Sequence, residues 1–78
     1  MAKTIHSERD RTFRELLKAR RKAGGLTQTV VAQRLGKPPS YVAKYEAGDR
    51  RLDVLEFMDL AAAIGFDPAA FIRTLRRK

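Results

Sequence analysis

A glycine and two prolines fall within four residues near the middle of the chain, Gly36-Lys37-Pro38-Pro39, and the segments on either side have helical periodicity. Before them, Thr27 is a capping residue, and Val31, Ala32 and Leu35 recur on one face of a short helix. Gly36 ends that helix, as glycine does where the chain must turn left-handed. Proline is tolerated in a helix's first turn, where its missing N–H would have no partner. A second short helix therefore starts near Pro39-Ser40 and runs to Ala47, with Val42 and Tyr45 inward and Gly48 as its stop. Pro39, Ser40, Tyr41 and Lys44 are left on its outer face. Two helices, a turn of about four residues and a polar outer face on the second describe a helix-turn-helix.

The remainder of the chain must cover the inner face of this pair. With 78 residues it has room for one domain, near the lower size limit of a solitary core. Ser7 followed by Glu8 and Asp10 reads as a cap with acids in the first turn, and Phe13, Leu16 and Leu17 mark the buried stripe of a helix running to about Ala23. Gly24-Gly25 ends it. After the central pair, Asp53-x-x-Glu56 resembles a capping box. Val54, Phe57, Leu60, Ala61 and Ile64 then recur at helical spacing and are expected in the core. Asp67-Pro68 opens a last helix with Phe71, Ile72 and Leu75 as its apolar stripe and Arg73, Arg76, Arg77 and Lys78 as a basic end. No strand pattern, repeat or linker is visible. The expected organisation is a flexible arm over residues 1–6 and a single domain over residues 7–78.

Composition removes several functional classes. There is no cysteine, hence no disulfide and no thiolate metal site, and one histidine, His6, does not make a metal centre. No cofactor is expected. No apolar run approaches the roughly 20 residues that span a bilayer, and residues 1–6 lack an apolar leader core, so a cytoplasmic protein without a membrane partner is expected. No phosphate-cradling loop or nucleophile motif occurs. The carboxylates Glu8, Asp10, Glu15, Asp53, Glu56 and Asp59 fall at helix starts or on polar faces, so no catalytic set is assigned. Seventeen Lys and Arg against nine Asp and Glu give a formal charge of +8 and a pI near 10.6. That excess calls for a polyanionic partner, nucleic acid first.

The pattern GLTQ…VA..LG…SYV.KYE.G.R.LD resembles the XRE family, the phage Cro and repressor-like helix-turn-helix proteins, over residues 13–75. The resemblance implies an all-α fold, a compact five-helix lambda-repressor-like domain with the helix-turn-helix at its second and third helices. It implies a sequence-specific regulator of transcription that binds double-stranded DNA, a repressor or autoregulator on an inverted-repeat operator. Two other readings stay open: the DNA-binding antitoxin of a toxin–antitoxin pair, with a toxin or other protein as partner, and an interaction adapter on the same fold. The chain is too short to add a metabolite-sensing domain, so no small-molecule effector is expected.

Candidate residues follow from position and chemistry. Arg21 continues the stripe of Leu17 and needs a partner at the core's border, and Glu46, one turn after Val42, is the natural one. The resemblance likewise implies a partly buried salt bridge there. Thr27 and Gln28 begin the second helix, where free backbone N–H groups favour a phosphate oxygen. The resemblance gives Gln28 a further role bracing the recognition helix. Lys37, Pro38, Pro39, Ser40, Tyr41 and Lys44 form the expected recognition-helix face. Pro39 departs from the long donors of phage relatives and offers only apolar contact or a helix start. Ser40 discriminates weakly, and Lys44 suits guanine O6 and N7. Tyr41 has two readings, a phosphate contact or a half-buried ring. Arg50 and Arg51 are expected on phosphates. Arg9, Arg11, Arg14, Lys18, Arg20 and Lys22 read mostly as a solvated, steering face. Since one such module reads few base pairs, a homodimer is expected, with Phe66, Phe71, Ile72 and Leu75 as its interface, the other reading of these four being a roof over the monomer's own core.

Overall fold

The computed structural model describes residues 7–78, so the arm read over residues 1–6 lies outside the described residues. Five helices follow in order: α1 Glu8–Ala23, α2 Gln28–Leu35, α3 Ser40–Ala47, α4 Val54–Ile64 and α5 Pro68–Arg76. No strand occurs among the described residues. Four of the five starts are capped by a side chain, and α3, entered through Pro39, has no such cap. Ser7 accepts from the Asp10 N–H at 3.0 Å, and Thr27 accepts from Val30 at 3.1 Å. Asp53 and Glu56 close a reciprocal capping box, and Asp67 caps α5 with Pro68 at its first position. Such caps satisfy donors that the helix itself cannot, and each contributes about 1 kcal/mol.

The core gathers Leu17 of α1, Val31 and Ala32 of α2, Val42 and Tyr45 of α3, Leu60 of α4 and Phe71 of α5. All four phenylalanines of the chain join one cluster beside it. Phe71 lies 5.2 Å from Phe57, 5.9 Å from Phe13 and 5.1 Å from Phe66, centroid to centroid. These rings bind the last helix to α1 and α4.

Two expectations about apolar residues are corrected by this packing. Val54 is 72% exposed, because it occupies the first position of α4, before the helix reaches the core. Phe71, expected at a dimer interface, is 2% exposed and part of the monomer's own core, and Phe66 stacks on it. Of the four interface candidates Ile72, at 42%, is the exposed one, and Leu75 is half-buried.

Candidate nucleic-acid interface

The turn between α2 and α3 is built by backbone chemistry. Gly36 adopts φ +68°, a conformation that side-chain-bearing residues rarely take. This lets Lys37 N–H return to the Ala32 carbonyl at 2.9 Å. Pro39 sits at φ −56°, already helical, and the Tyr41 N–H bonds the Pro38 carbonyl at 3.0 Å. Helix α3 then buries Val42 and Tyr45 and leaves Ser40, Ala43, Lys44 and Ala47 exposed at successive helical turns. Lys37, Pro38 and Pro39 extend the exposed face from the turn. Tyr41 does not belong to it. Only 8% exposed, its ring packs edge-on to Tyr45 at 5.9 Å, and Lys37 and Arg50 lie over it at 5.5 and 4.8 Å. The placement on the outer face is corrected, because the Tyr41 ring fills the space between α3 and the loop that follows.

Behind the exposed face, one carboxylate ties three helices together. Glu46 accepts from Arg21 Nε at 2.8 Å and Nη2 at 3.1 Å, and from Gln28 Nε2 at 3.0 Å. Arg21 Nη1 also donates to the Leu26 carbonyl at 2.9 Å. The Arg21 and Glu46 side chains are 8% and 5% exposed. The hydrogen bonds to Glu46 raise the Arg21 pKa above its ordinary value, against the opposing pull of burial. Arg21 therefore stays charged, and α1, α2 and α3 hold a fixed mutual pose. Gln28, at the start of α2, is committed to this bracing by its side chain, while Thr27 uses its hydroxyl as the cap.

The loop after α3 is equally constrained. Arg50 forms an ion pair with Glu56 of α4 and stacks on Tyr41. Interaction with the Tyr41 side chain, and then the attraction of Glu56, outweighs the opposing pull of burial and raises the Arg50 pKa above its ordinary value. Arg50, Arg51, Lys44 and Ser40 line an open cleft of about 530 Å³ along the exposed side of α3, floored by Tyr41. Lys44, Arg50 and Arg51, with Asp49 among them, lie beside short, exposed α3 side chains, and this excess of positive charge suits a polyanionic partner.

Comparison with known proteins decides which lineage built this arrangement. The helix-turn-helix family model matches residues 17–71, from the middle of α1 into α5. The chain belongs to the XRE family of helix-turn-helix DNA-binding regulators. It is similar to the solved XRE-family like protein from Pseudomonas syringae pv. tomato str. DC3000, at 46% identity over 94% of this chain and 89% of that one, with a TM-score of 0.88. It is also similar to the restriction-modification controller protein C.AhdI from Aeromonas hydrophila, at 32% identity over 76% of this chain and 89% of that one, with a TM-score of 0.69. No curated protein sequence matches the chain.

Within this XRE domain, several contacts went unread in the sequence. Arg14, assigned to a solvated face, pairs with Asp10 at 2.8 Å and donates to the Glu46 carbonyl at 3.1 Å, closing the end of α3. The Asp10–Arg14 spacing of four was the available signal. Arg34 donates to the Ala63 carbonyl at 2.8 Å, satisfying the end of α4. Ala43 and Ala47 share the exposed α3 face with Ser40 and Lys44, and their spacing from Ser40 marks them. Small apolar side chains there suit contact with thymine methyl groups. No helix among the described residues is long and apolar enough to cross a membrane, and none of the described acidic residues group as a metal site.

Proposed function

We propose that this XRE-family chain is a sequence-specific transcriptional regulator that binds an inverted-repeat operator in double-stranded DNA as a homodimer and acts as a repressor or autoregulator. The carrying observation is the braced α3. Its inward residues and Glu46 fix its pose, while Ser40, Ala43, Lys44 and Ala47 stand clear beside a cation-lined cleft. Lys44 is the base-reading donor, Pro39 and the two alanines are apolar readers, and Ser40 is a weak discriminator. Lys37, Arg50 and Arg51 hold phosphates, as does the start of α2 at Thr27 and Gln28. With short readers on most of this face, part of the selectivity comes from DNA shape.

Dimerisation is supported by the apolar residues left in water. Leu55 and Met58, three apart on α4, are 71% and 51% exposed, and Ile72 is exposed on α5. The C.AhdI likeness favours one specific role, control of a restriction–modification gene pair. That role predicts an operator beside such genes.

The test is selection of bound sequences from random duplex DNA, with salt titration, for the wild type, Lys44→Ala and Arg50→Ala. An inverted repeat is expected, relaxed at one position per half-site by Lys44→Ala and weakened on all sequences by Arg50→Ala. With about six phosphates neutralised per dimer, log K falls with log salt at a slope near −5. Equal binding of all duplexes overturns the sequence-specific reading.

A further inference from the structure

Glu56 serves two partners at once. Its Oε1 accepts the Asp53 N–H at 3.0 Å and thereby closes the capping box of α4. Its Oε2 holds Arg50 Nη2. Arg50 in turn lies over Tyr41, its guanidinium carbon 4.8 Å from the ring centroid, at the wall of the cleft shared with Lys44 and Arg51. An arginine in an exposed loop ordinarily samples many rotamers, and ordering it on binding costs free energy. Here a carboxylate and an aromatic face order it in advance.

We infer that Glu56 is a positioning residue for DNA binding: it holds Arg50 against Tyr41 at the edge of the cleft, so that the guanidinium meets the phosphate backbone already in place. The inference rests on the DNA-binding reading above. It carries an unusual sign. Coulomb's law taken alone makes a carboxylate near phosphates unfavourable, so that neutralising Glu56 would strengthen DNA binding. Pre-ordering of Arg50 predicts the opposite.

Glu56→Gln separates the two, because glutamine has one acceptor where glutamate has two. Glutamine also serves at the third position of a capping box. Once its oxygen has accepted the Asp53 N–H, its amide presents donors to Arg50, which is itself a donor. The cap survives and the clasp is lost.

The experiment is a double-mutant cycle with wild type, Glu56→Gln, Arg50→Ala and the double variant. It measures Kd on the selected duplex across a salt series, with thermal midpoints to monitor folding. Glu56→Gln is expected to weaken binding roughly two- to ten-fold, the penalty of ordering one long side chain, with the salt slope unchanged. Arg50→Ala lowers the slope by about 0.9 per protomer. In the Arg50→Ala background, Glu56→Gln no longer weakens binding, since only relief of repulsion remains. Equal or tighter binding by Glu56→Gln in the wild-type background overturns the clasp while leaving DNA binding intact. Weakening that persists in the Arg50→Ala background also overturns it, by pointing to the cap. If the wild type binds no duplex, the DNA reading falls and the clasp with it.

Discussion

Replacing Glu46 by alanine removes three hydrogen bonds and strands a guanidinium that is almost wholly out of water. Breaking a buried pair from one side costs about 3–5 kcal/mol, since the remaining charge keeps its desolvation penalty without its partner. Total stability for a domain of this length is about 4–12 kcal/mol, so Glu46→Ala consumes a large share of it. At about 4–8 °C per kcal/mol for a domain of this size, the midpoint falls by at least ~12 °C. The double variant Arg21→Met/Glu46→Met tests the cause. It removes both charges and fills the space with apolar side chains, leaving the Leu26 carbonyl without its donor and the half-buried Gln28 amide without its acceptor. It should lie within about 2 kcal/mol of wild type and above Glu46→Ala. Urea unfolding followed by far-UV circular dichroism measures all the variants on one scale, with equal m-values required. A loss under ~1 kcal/mol for Glu46→Ala, or a double variant no better than the sum of its singles, refutes the argument.

Other consequences are open to simpler measurements. The Tyr45 hydroxyl is buried without a hydrogen-bond partner among the described residues, so Tyr45→Phe should leave urea stability at pH 7 unchanged or raised by up to ~1 kcal/mol. Burial lifts the Tyr45 pKa well above its ordinary value. Its contribution is therefore complete below the unfolded pKa of about 10 and is lost as pH rises beyond it. Tyr45→Phe should flatten that alkaline decline by up to ~1.4 kcal/mol per pH unit, and an unchanged decline refutes the assignment. Gly36→Ala and Gly48→Ala should differ although both have positive φ, at +68° and +87°. A Cβ at 36 meets open space, whereas one at 48 comes within 3.0 Å of Arg14 Cζ. The first should cost about 1–2 kcal/mol and the second more, with the Arg14 contact to α3 disturbed. Leu55→Gln with Met58→Gln should shift sedimentation toward the monomer without lowering the monomer's thermal midpoint, and an unchanged dimer places the interface elsewhere.

Helix ends were the most legible part of the sequence. Thr27, Asp53 and Asp67 are caps that act on neighbours within three residues, so their geometry is local and spacing discloses it. The apolar stripes of α1 and α4 were legible for the same reason, apart from Val54. Tyr41 and Arg50 were harder, because what they meet comes from elsewhere in the chain. Helical spacing puts Tyr41 at the rim of α3, and Lys37 from the preceding turn and Arg50 from the following loop cover the ring. Arg50 was legible as a cation but not as one whose rotamer is set by Glu56, six positions away and on another element. Arg34 and the Ala63 carbonyl are separated by 29 residues, and no periodicity announces such a pair. Phe71 shows the converse: apolar spacing marks the side that seeks cover without saying whether the cover is the same molecule.

Glu46 lies off the face formed by Ser40, Ala43, Lys44 and Ala47, Val42 and Tyr45 lie opposite it, and among the contacts described none that fixes the helix passes through those four side chains. On the proposed reading, the face that selects DNA is thereby decoupled from the frame that carries it. Substitutions at 40, 43, 44 and 47 can explore new operators without drawing on the stability of the domain, which is the condition under which a small regulator acquires new targets one residue at a time. Randomising those four positions on this scaffold should yield variants that remain folded and differ only in the sequences they select.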